Sequence, residues 1–130
     1  SLVSSGKLKI RIVRGRMVVE LASNILFPSG KDKLHKEGEA ALQELAKILQ
    51  TITDRDLQVS GHTDNVPISS KKFKSNWELS TARAIAVVKF LNKEGIPNER
   101  LVAAGYGQYQ PLSAIDRARN RRIELKLTNR

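Results

Sequence analysis

Apolar residues in this 130-residue chain change between the alternating spacing of a β-strand and the spacing of an amphipathic helix, and this succession restricts the fold more than any other feature. Alternation over residues 7–22 predicts a hairpin that turns around Arg14 to Arg16. Residues 24–31 contain a proline and a glycine, so a loop is expected there. Helical spacing follows and predicts an amphipathic helix over residues 35–52.

The same change of spacing occurs again in the second half of the chain. A short strand is predicted to end near Thr63 or Asp64 and to lead into a polar loop. Ser75 and Glu78 have the spacing of a capping box, in which the hydroxyl and the carboxylate accept hydrogen bonds from free amides at a helix start. The helix that follows is predicted over residues 76–92, because a glycine and a proline stand just beyond it.

Two further strands are predicted over residues 101–106 and 122–127. The resulting order, ββαβαβ, indicates the α/β class in the form of an α+β sandwich, with a mixed sheet covered by helices on one face. A single domain is expected over residues 1–130, since one core commonly serves roughly 100 to 200 residues.

The composition narrows the chemistry that the chain can perform. Cysteine is absent, which excludes disulfides, thiolate metal ligands and a thiol nucleophile. No apolar run approaches the roughly 20 residues that span a bilayer, and the first residues lack the basic and apolar blocks of a signal peptide. Any membrane attachment or targeting segment is therefore expected outside residues 1–130.

The net charge of +10 favours an anionic partner but does not identify it. Nucleic acid, anionic lipid and acidic polymers all remain open on charge alone. The strongest basic run is Arg117-Ala118-Arg119-Asn120-Arg121-Arg122, whereas the aromatic residues that could stack on bases lie elsewhere, at Phe73, Trp77, Tyr106 and Tyr109. This separation favours a solvated basic edge over a specific nucleic-acid site.

Arg83 is the most informative anomaly, since it shares the apolar face of the second predicted helix with Leu79 and Val87. A guanidinium on that face needs an anionic partner, because burying it unpaired would cost several kcal/mol. Asn76 and Ser80 lie on the same face near the amino end of the helix, where backbone amides also favour anions. This part of the helix is therefore predicted to hold a negatively charged group.

Asp64 supplies a complementary charge where a central strand ends, and open sheets bind ligands beyond the carboxyl ends of their strands. A free amino-acid end fits the pair, with its ammonium on Asp64 and its carboxylate on Arg83. In that interpretation the crevice is open to water, and Arg83 is expected to be partly solvated. The alternative is a structural ion pair between Asp64 and Arg83, and residue spacing alone leaves both interpretations open.

The two histidines do not favour a metal or a catalytic site. His62 and His35 without cysteine make a poor set of metal ligands, and no nucleophile elbow, phosphate loop or zinc-protease motif is present. His62 is expected to be a hydrogen-bonded residue beside the site. The sequence therefore predicts no metal, no cofactor and no enzymatic activity.

Four ordered motifs resemble a known family. They are Val59-Ser60-Gly61-His62-Thr63-Asp64-Asn65, Asn76-Trp77-Glu78-Leu79-Ser80-Thr81-Ala82-Arg83-Ala84, Ala104-Gly105-Tyr106-Gly107 and Asn120-Arg121-Arg122-Ile123-Glu124. Together they resemble the OmpA-like, or OmpA/MotB, signature, from about Met17 to Leu127. Leu26-Phe27-Pro28-Ser29-Gly30 and the segment from Ser75 to Ser80 are most similar to the flagellar stator MotB branch.

The resemblance implies a peptidoglycan-binding domain that holds diaminopimelate, a zwitterionic residue of the stem peptide in Gram-negative walls. The family's two key residues fall on Asp64, which meets the ammonium, and on Arg83, which meets the carboxylate. The full ligand-binding set that the resemblance implies is Asp64, Arg83, Leu79, Thr63, Asn76 and Phe27.

The resemblance also implies a non-catalytic module of a larger, membrane-anchored protein in the Gram-negative periplasm, and it leaves a homodimer open. No specific nucleic-acid partner is implied; a basic domain that binds nucleic acid or anionic surfaces is the alternative function. The chain departs from the family between Pro111 and Arg117, where a short segment replaces a longer loop. Asn120, Arg121 and Arg122 match the family's last motif, and salt bridges that hold the last strand are their expected role.

Overall fold

The computed structural model describes residues 8–129, apart from the side chain of Asn129, and its strands form one five-stranded sheet. The strands are β1 (Leu8–Val13), β2 (Arg16–Ala22), β3 (Arg55–His62), β4 (Leu101–Gly105) and β5 (Arg122–Asn129). Their order across the sheet is β1-β2-β5-β3-β4. Only β3 and β4 pair in parallel, and the other neighbouring strands are antiparallel, so the predicted mixed sheet is confirmed.

Within the described residues, two long helices and three short helical turns connect the strands. They are α1 (Ser23–Leu26), α2 (Lys36–Leu49), α3 (Asn76–Lys93), a 3-10 turn (Asn98–Arg100) and α4 (Arg117–Asn120). The two long helices were predicted, although α2 ends at Leu49 and not at residue 52. The short helix α1 replaces the first part of the predicted loop, and α4 was not predicted. No helix in the described range is long and apolar enough to cross a bilayer.

The amino end of α3 begins where the sequence predicts. The hydroxyl of Ser75 accepts a hydrogen bond from the amide of Trp77 at 3.2 Å. The carboxylate of Glu78 accepts bonds of 2.7 and 2.8 Å from that same hydroxyl, and not from a backbone amide as a capping box predicts. Ser75 therefore caps the helix directly, and Glu78 contributes by accepting a hydrogen bond from the Ser75 hydroxyl.

One face of the sheet carries the hydrophobic core. Alternate strand residues on this face pack against α2 and α3, and the deeply buried core residues include Leu21, Leu42, Leu57, Val59, Val87, Leu91, Ile123 and Leu125. The prediction that helices cover one face is confirmed. Burial of these side chains supplies the main driving force for the fold, at about 25 cal/mol for each square ångström of apolar surface removed from water.

Two glycines allow α3 to lie directly on the sheet. A Cβ atom added to Gly61 on β3 would overlap the backbone carbonyl of Ser80, and one added to Gly105 on β4 would overlap Thr81. Only a residue without a side chain fits between the strands and the helix at these positions. Arg83 follows Ser80 by three residues and Thr81 by two on α3. The close contact of the helix with the sheet therefore fixes Arg83 near the end of β3.

The other face of the sheet carries a polar cluster around Glu124, which is buried on β5. Its Oε2 atom accepts hydrogen bonds of 2.6 Å from Arg122 Nε and from Arg11 Nη2. Burial alone would raise the pKa of Glu124, but the bond from Arg122 and the surrounding cations outweigh it and hold the pKa below its ordinary value. Arg122 Nη2 also donates a hydrogen bond of 2.9 Å to the carbonyl of Gln110, and Arg11 reaches Glu124 from β1, so the cluster connects the last strand to neighbouring segments.

Candidate functional site

A cavity of about 500 Å³ lies where β2 and β3 end and β5 begins. It is bounded by the loop after β3, the segment after β2 and the first turns of α3. Its lining includes every residue of the predicted ligand-binding set, namely Phe27, Thr63, Asp64, Asn76, Leu79 and Arg83. The remaining lining residues are Ser23, Asn24, Ser29, Gly30, Val66, Pro67, Ile68 and Arg121.

Arg83 projects from α3 into this region and is only 6% exposed. Its Nε atom donates a hydrogen bond of 2.8 Å to the carbonyl of Lys31, and its Nη2 atom donates one of 3.1 Å to the carbonyl of Pro28. The guanidinium carbon lies 5.0 Å from the centroid of the Phe27 ring. Burial lowers the pKa of Arg83 to about 10, opposed by the Asp32 carboxylate, so the side chain stays charged at neutral pH.

This arrangement corrects the expectation that Arg83 is partly solvated. Two carbonyl groups and an aromatic ring hold the guanidinium, and none of them neutralises its charge. These two bonds use Nε and Nη2, and a guanidinium has five N–H donors in all, so Arg83 retains donors for an anion.

Asp64 is buried at the end of β3, and its partner is Arg121. Its Oδ2 atom accepts a hydrogen bond of 2.7 Å from Arg121 Nη1, and its Oδ1 atom accepts one of 3.1 Å from the amide of Val66. Asp64 and Arg83, both in the described range, form no ion pair with each other. The structural ion pair between Asp64 and Arg83, which residue spacing left open, is therefore wrong. The cavity contains one acidic and one basic side chain, and each has its own partners.

The neutral polar residues of the predicted set hold the local backbone. Asn76 Nδ2 donates to the carbonyl of Asp64 at 3.3 Å, and the Thr63 hydroxyl donates to the same carbonyl at 2.8 Å. Both residues thereby shape the loop that presents the Asp64 carboxylate. Ser80 accepts a hydrogen bond of 2.9 Å from the amide of Gly107 and does not line the cavity, so it lies outside the predicted anion site.

Sequence reasoning did not include Arg121 in the site. Its amide donates to the carbonyl of Arg117 at 3.2 Å, which fixes the backbone just before β5, while its side chain is 47% exposed and reaches Asp64. The motif from Asn120 to Glu124 could have placed Arg121 at the site, because successive residues of a strand point to opposite faces of the sheet. Since Arg122 belongs to the polar outer face, Arg121 is directed to the face of the cavity.

His62 lies on the outer face and does not line the cavity. Its ring stacks on Tyr106, with centroids 5.0 Å apart and planes inclined by 4°. Neither ring nitrogen has a hydrogen-bond partner among residues 8–129, so the expectation of a hydrogen-bonded histidine is wrong. Burial and the neighbouring cation of Arg122 lower the pKa of His62 to about 4. The imidazole is neutral at pH 7, and its approach of 3.7 Å to Glu124 is not an ion pair.

A model of the OmpA family matches residues 26–124, a range that contains the whole predicted set and Arg121. The chain belongs to the OmpA family. Two curated relatives of this OmpA-family chain occur in Bacillus subtilis (strain 168): YtxE is 40% identical over 114 residues, and motility protein B is 32% identical over 129 residues. These matches cover 84% and 95% of this chain but 47% and 49% of the relatives, so the chain spans about half their length.

Solved structures share the fold of this OmpA-family chain. The cell wall anchor of the T6SS from Pseudomonas aeruginosa gives a TM-score of 0.89 at 30% identity, with 99% of this chain and 92% of that chain covered. The periplasmic domain of Helicobacter pylori MotB gives a TM-score of 0.87 at 27% identity, with 94% and 82% covered. The similarity to the MotB branch that the motifs indicated is confirmed.

Proposed function

We propose that this OmpA-family chain is a non-catalytic peptidoglycan-binding module that holds the diaminopimelate of the stem peptide. The observation that carries the proposal is the placement of buried Asp64 and buried Arg83 in one cavity without an ion pair between them. A free amino-acid end has an ammonium and a carboxylate, and it can satisfy both side chains at once. Phe27 and Leu79 supply apolar walls for its methylene chain.

The relatives support attachment to the cell wall and a location in the cell envelope. One similar structure is a cell wall anchor, and another is a periplasmic domain of MotB. We therefore infer that the parent protein uses this module to attach to the wall in the periplasm, with membrane attachment supplied by another part of that protein. The finer identification of diaminopimelate depends on the charge pattern of the cavity, and the Gram-negative wall stays a prediction from the family resemblance.

The test is a comparison of two stem peptides that differ only at the third residue. A peptide with meso-diaminopimelate is expected to bind with an affinity of roughly micromolar to millimolar strength, typical of one small ligand that gains avidity in the polymeric wall. It should shift the amide resonances of Thr63, Asp64 and Arg83. A peptide with lysine at that position lacks the second carboxylate, and equal affinity for it would contradict the assignment to Arg83.

Salt dependence separates this proposal from a basic surface that binds any polyanion. Nonspecific binding of duplex DNA depends on released counterions and should fall steeply as salt is raised. Binding of the diaminopimelate peptide should fall only modestly, because Asp64 and Arg83 are buried and poorly screened. Equal salt slopes for DNA and peptide would favour the basic surface.

Arg121→Gln is expected to strengthen binding of the diaminopimelate peptide. In the free protein the Arg121 guanidinium forms an ion pair with the Asp64 carboxylate, so an incoming ammonium has to displace the guanidinium. Since a partly exposed ion pair contributes about 0–1 kcal/mol, its removal should raise the affinity by up to about fivefold. Isothermal titration of the variant and the wild type measures the change.

Arg119→Gln is the matched control. Arg119 is exposed on α4, two residues before Arg121, and its replacement changes the net charge by the same amount. Its affinity should equal that of the wild type. Weaker binding by Arg121→Gln alone would mean that Arg121 contacts the ligand and does not compete with it.

A further inference from the structure

The β1–β2 hairpin extends beyond the helices that cover the rest of the sheet. On its helix-side face the exposed fraction rises along β1 from 4% at Leu8 to 53% at Ile10 and 67% at Ile12. Met17 pairs with Ile12 across the hairpin and is 40% exposed, whereas Val19 farther along β2 is buried. Ile10, Ile12 and Met17 therefore form an apolar surface open to solvent, here called the hairpin patch.

Exposed basic side chains flank the hairpin patch. Arg14 has a φ of 52° in the tight turn, which places it at the tip, whereas Lys9 and Arg16 alternate with the patch residues along the strands and lie on the opposite face of the same hairpin. The only acidic residue of the hairpin is Glu20, which is buried and accepts a 3.1 Å hydrogen bond from Arg11. The exposed cations are therefore not offset by an acid within the hairpin.

The tip of the hairpin lies at the opposite end of the sheet from the cavity. Strand β2 runs from Arg16 at the tip to Ala22, and the next residue, Ser23, lines the cavity. At about 3.3 Å for each residue, the tip and the cavity are separated by roughly 20 Å. A ligand in the cavity and a partner at the tip can be bound together without contact between them.

We propose that the hairpin tip docks on an anionic lipid surface, a binding activity beyond the proposed wall anchoring. The hairpin patch enters the interfacial layer, and Arg14 and Arg16 contact the headgroups. Apolar side chains next to exposed cations are typical of segments that bind membrane interfaces. A second copy of the chain fits the tip less well, because pairing two hairpins brings like charges together. Nucleic acid fits less well too, because single strands stack on aromatic side chains and this patch is aliphatic.

The test is sedimentation of the 130-residue chain with vesicles. The wild type should bind vesicles that mix phosphatidylglycerol with phosphatidylcholine and should bind pure phosphatidylcholine weakly. The double variant Ile10→Ser/Ile12→Ser should bind the anionic vesicles about 10- to 100-fold more weakly, since two large aliphatic side chains are lost. Arg14→Gln/Arg16→Gln should weaken binding about 25-fold, at roughly fivefold for each cation.

Ile115→Ser is the matched control, because Ile115 is 93% exposed and lies outside the hairpin. Wild-type binding by this control, together with loss in the double variant, supports the proposal. No binding to anionic vesicles, or an equal loss in the control, overturns it. Dimerisation that the double variant abolishes, without vesicle binding, assigns the patch to a second copy and also overturns it. Each variant should bind the diaminopimelate peptide like the wild type, so a failure of wall binding is distinguished from a failure of this proposal.

Discussion

Arg83→Ala is expected to weaken binding of the diaminopimelate peptide by about 10- to 100-fold, because each charge-assisted hydrogen bond contributes roughly 1.5 to 3 kcal/mol. It should also lower the free energy of unfolding by about 1 to 3 kcal/mol. The loss of stability follows from burial, since the carbonyls of Pro28 and Lys31 lose their donor and the Phe27 ring loses its cation. Sacculus pull-down and chemical denaturation of the same preparation measure the two effects.

Lys89→Ala is the control for this variant, because Lys89 is an exposed cation on the same helix. It should retain both wall binding and stability. Arg83→Lys keeps the charge but not the planar fork, and it should recover stability better than binding. Retained wall binding in a folded Arg83→Ala protein would refute the site assignment.

Glu124→Ala is expected to lower the free energy of unfolding by roughly 3–5 kcal/mol, the cost of leaving a buried charge without its partner. Arg122 is buried beside Glu124 and depends on it for its only charged acceptor within the described part of the chain, and Arg11 loses an acceptor as well. The pKa of Glu124 is lowered, so its contribution is present above the unfolded pKa and is lost as the pH falls. Urea denaturation at neutral pH measures the loss.

Glu44→Ala is the control for Glu124→Ala, because Glu44 is exposed on α2 and its removal should change stability by only about 0.5 kcal/mol. Glu124→Gln should lie between the control and Glu124→Ala, since the amide oxygen still accepts a hydrogen bond. The folded fraction of each variant should bind the diaminopimelate peptide normally, because Glu124 lies on the face away from the cavity. A loss of less than about 1 kcal/mol in Glu124→Ala would contradict a structural role for the cluster.

The regular elements were predictable because their signals are local. The spacing of apolar residues predicted the hairpin, both long helices and the strands that end beside the cavity, and Ser75 with Glu78 marked the start of α3. The helices α1 and α4 have four residues each, which is too short for a helical pattern to emerge. Their ends are set by packing and by bonds such as the Asp116 cap on Arg119, and not by spacing.

The sequence by itself determined which charges this protein carries and on which elements they lie, including an acid at the end of β3 and an arginine on the apolar face of α3. The tertiary structure alone decided how each charge is compensated. Asp64 meets Arg121 across 57 positions, and Arg83 meets the carbonyl of Lys31 across 52. Such choices depend on differences of an ångström or two between segments that the fold brings together, because hydrogen bonds weaken steeply with distance and angle. Spacing along a chain contains no record of those distances.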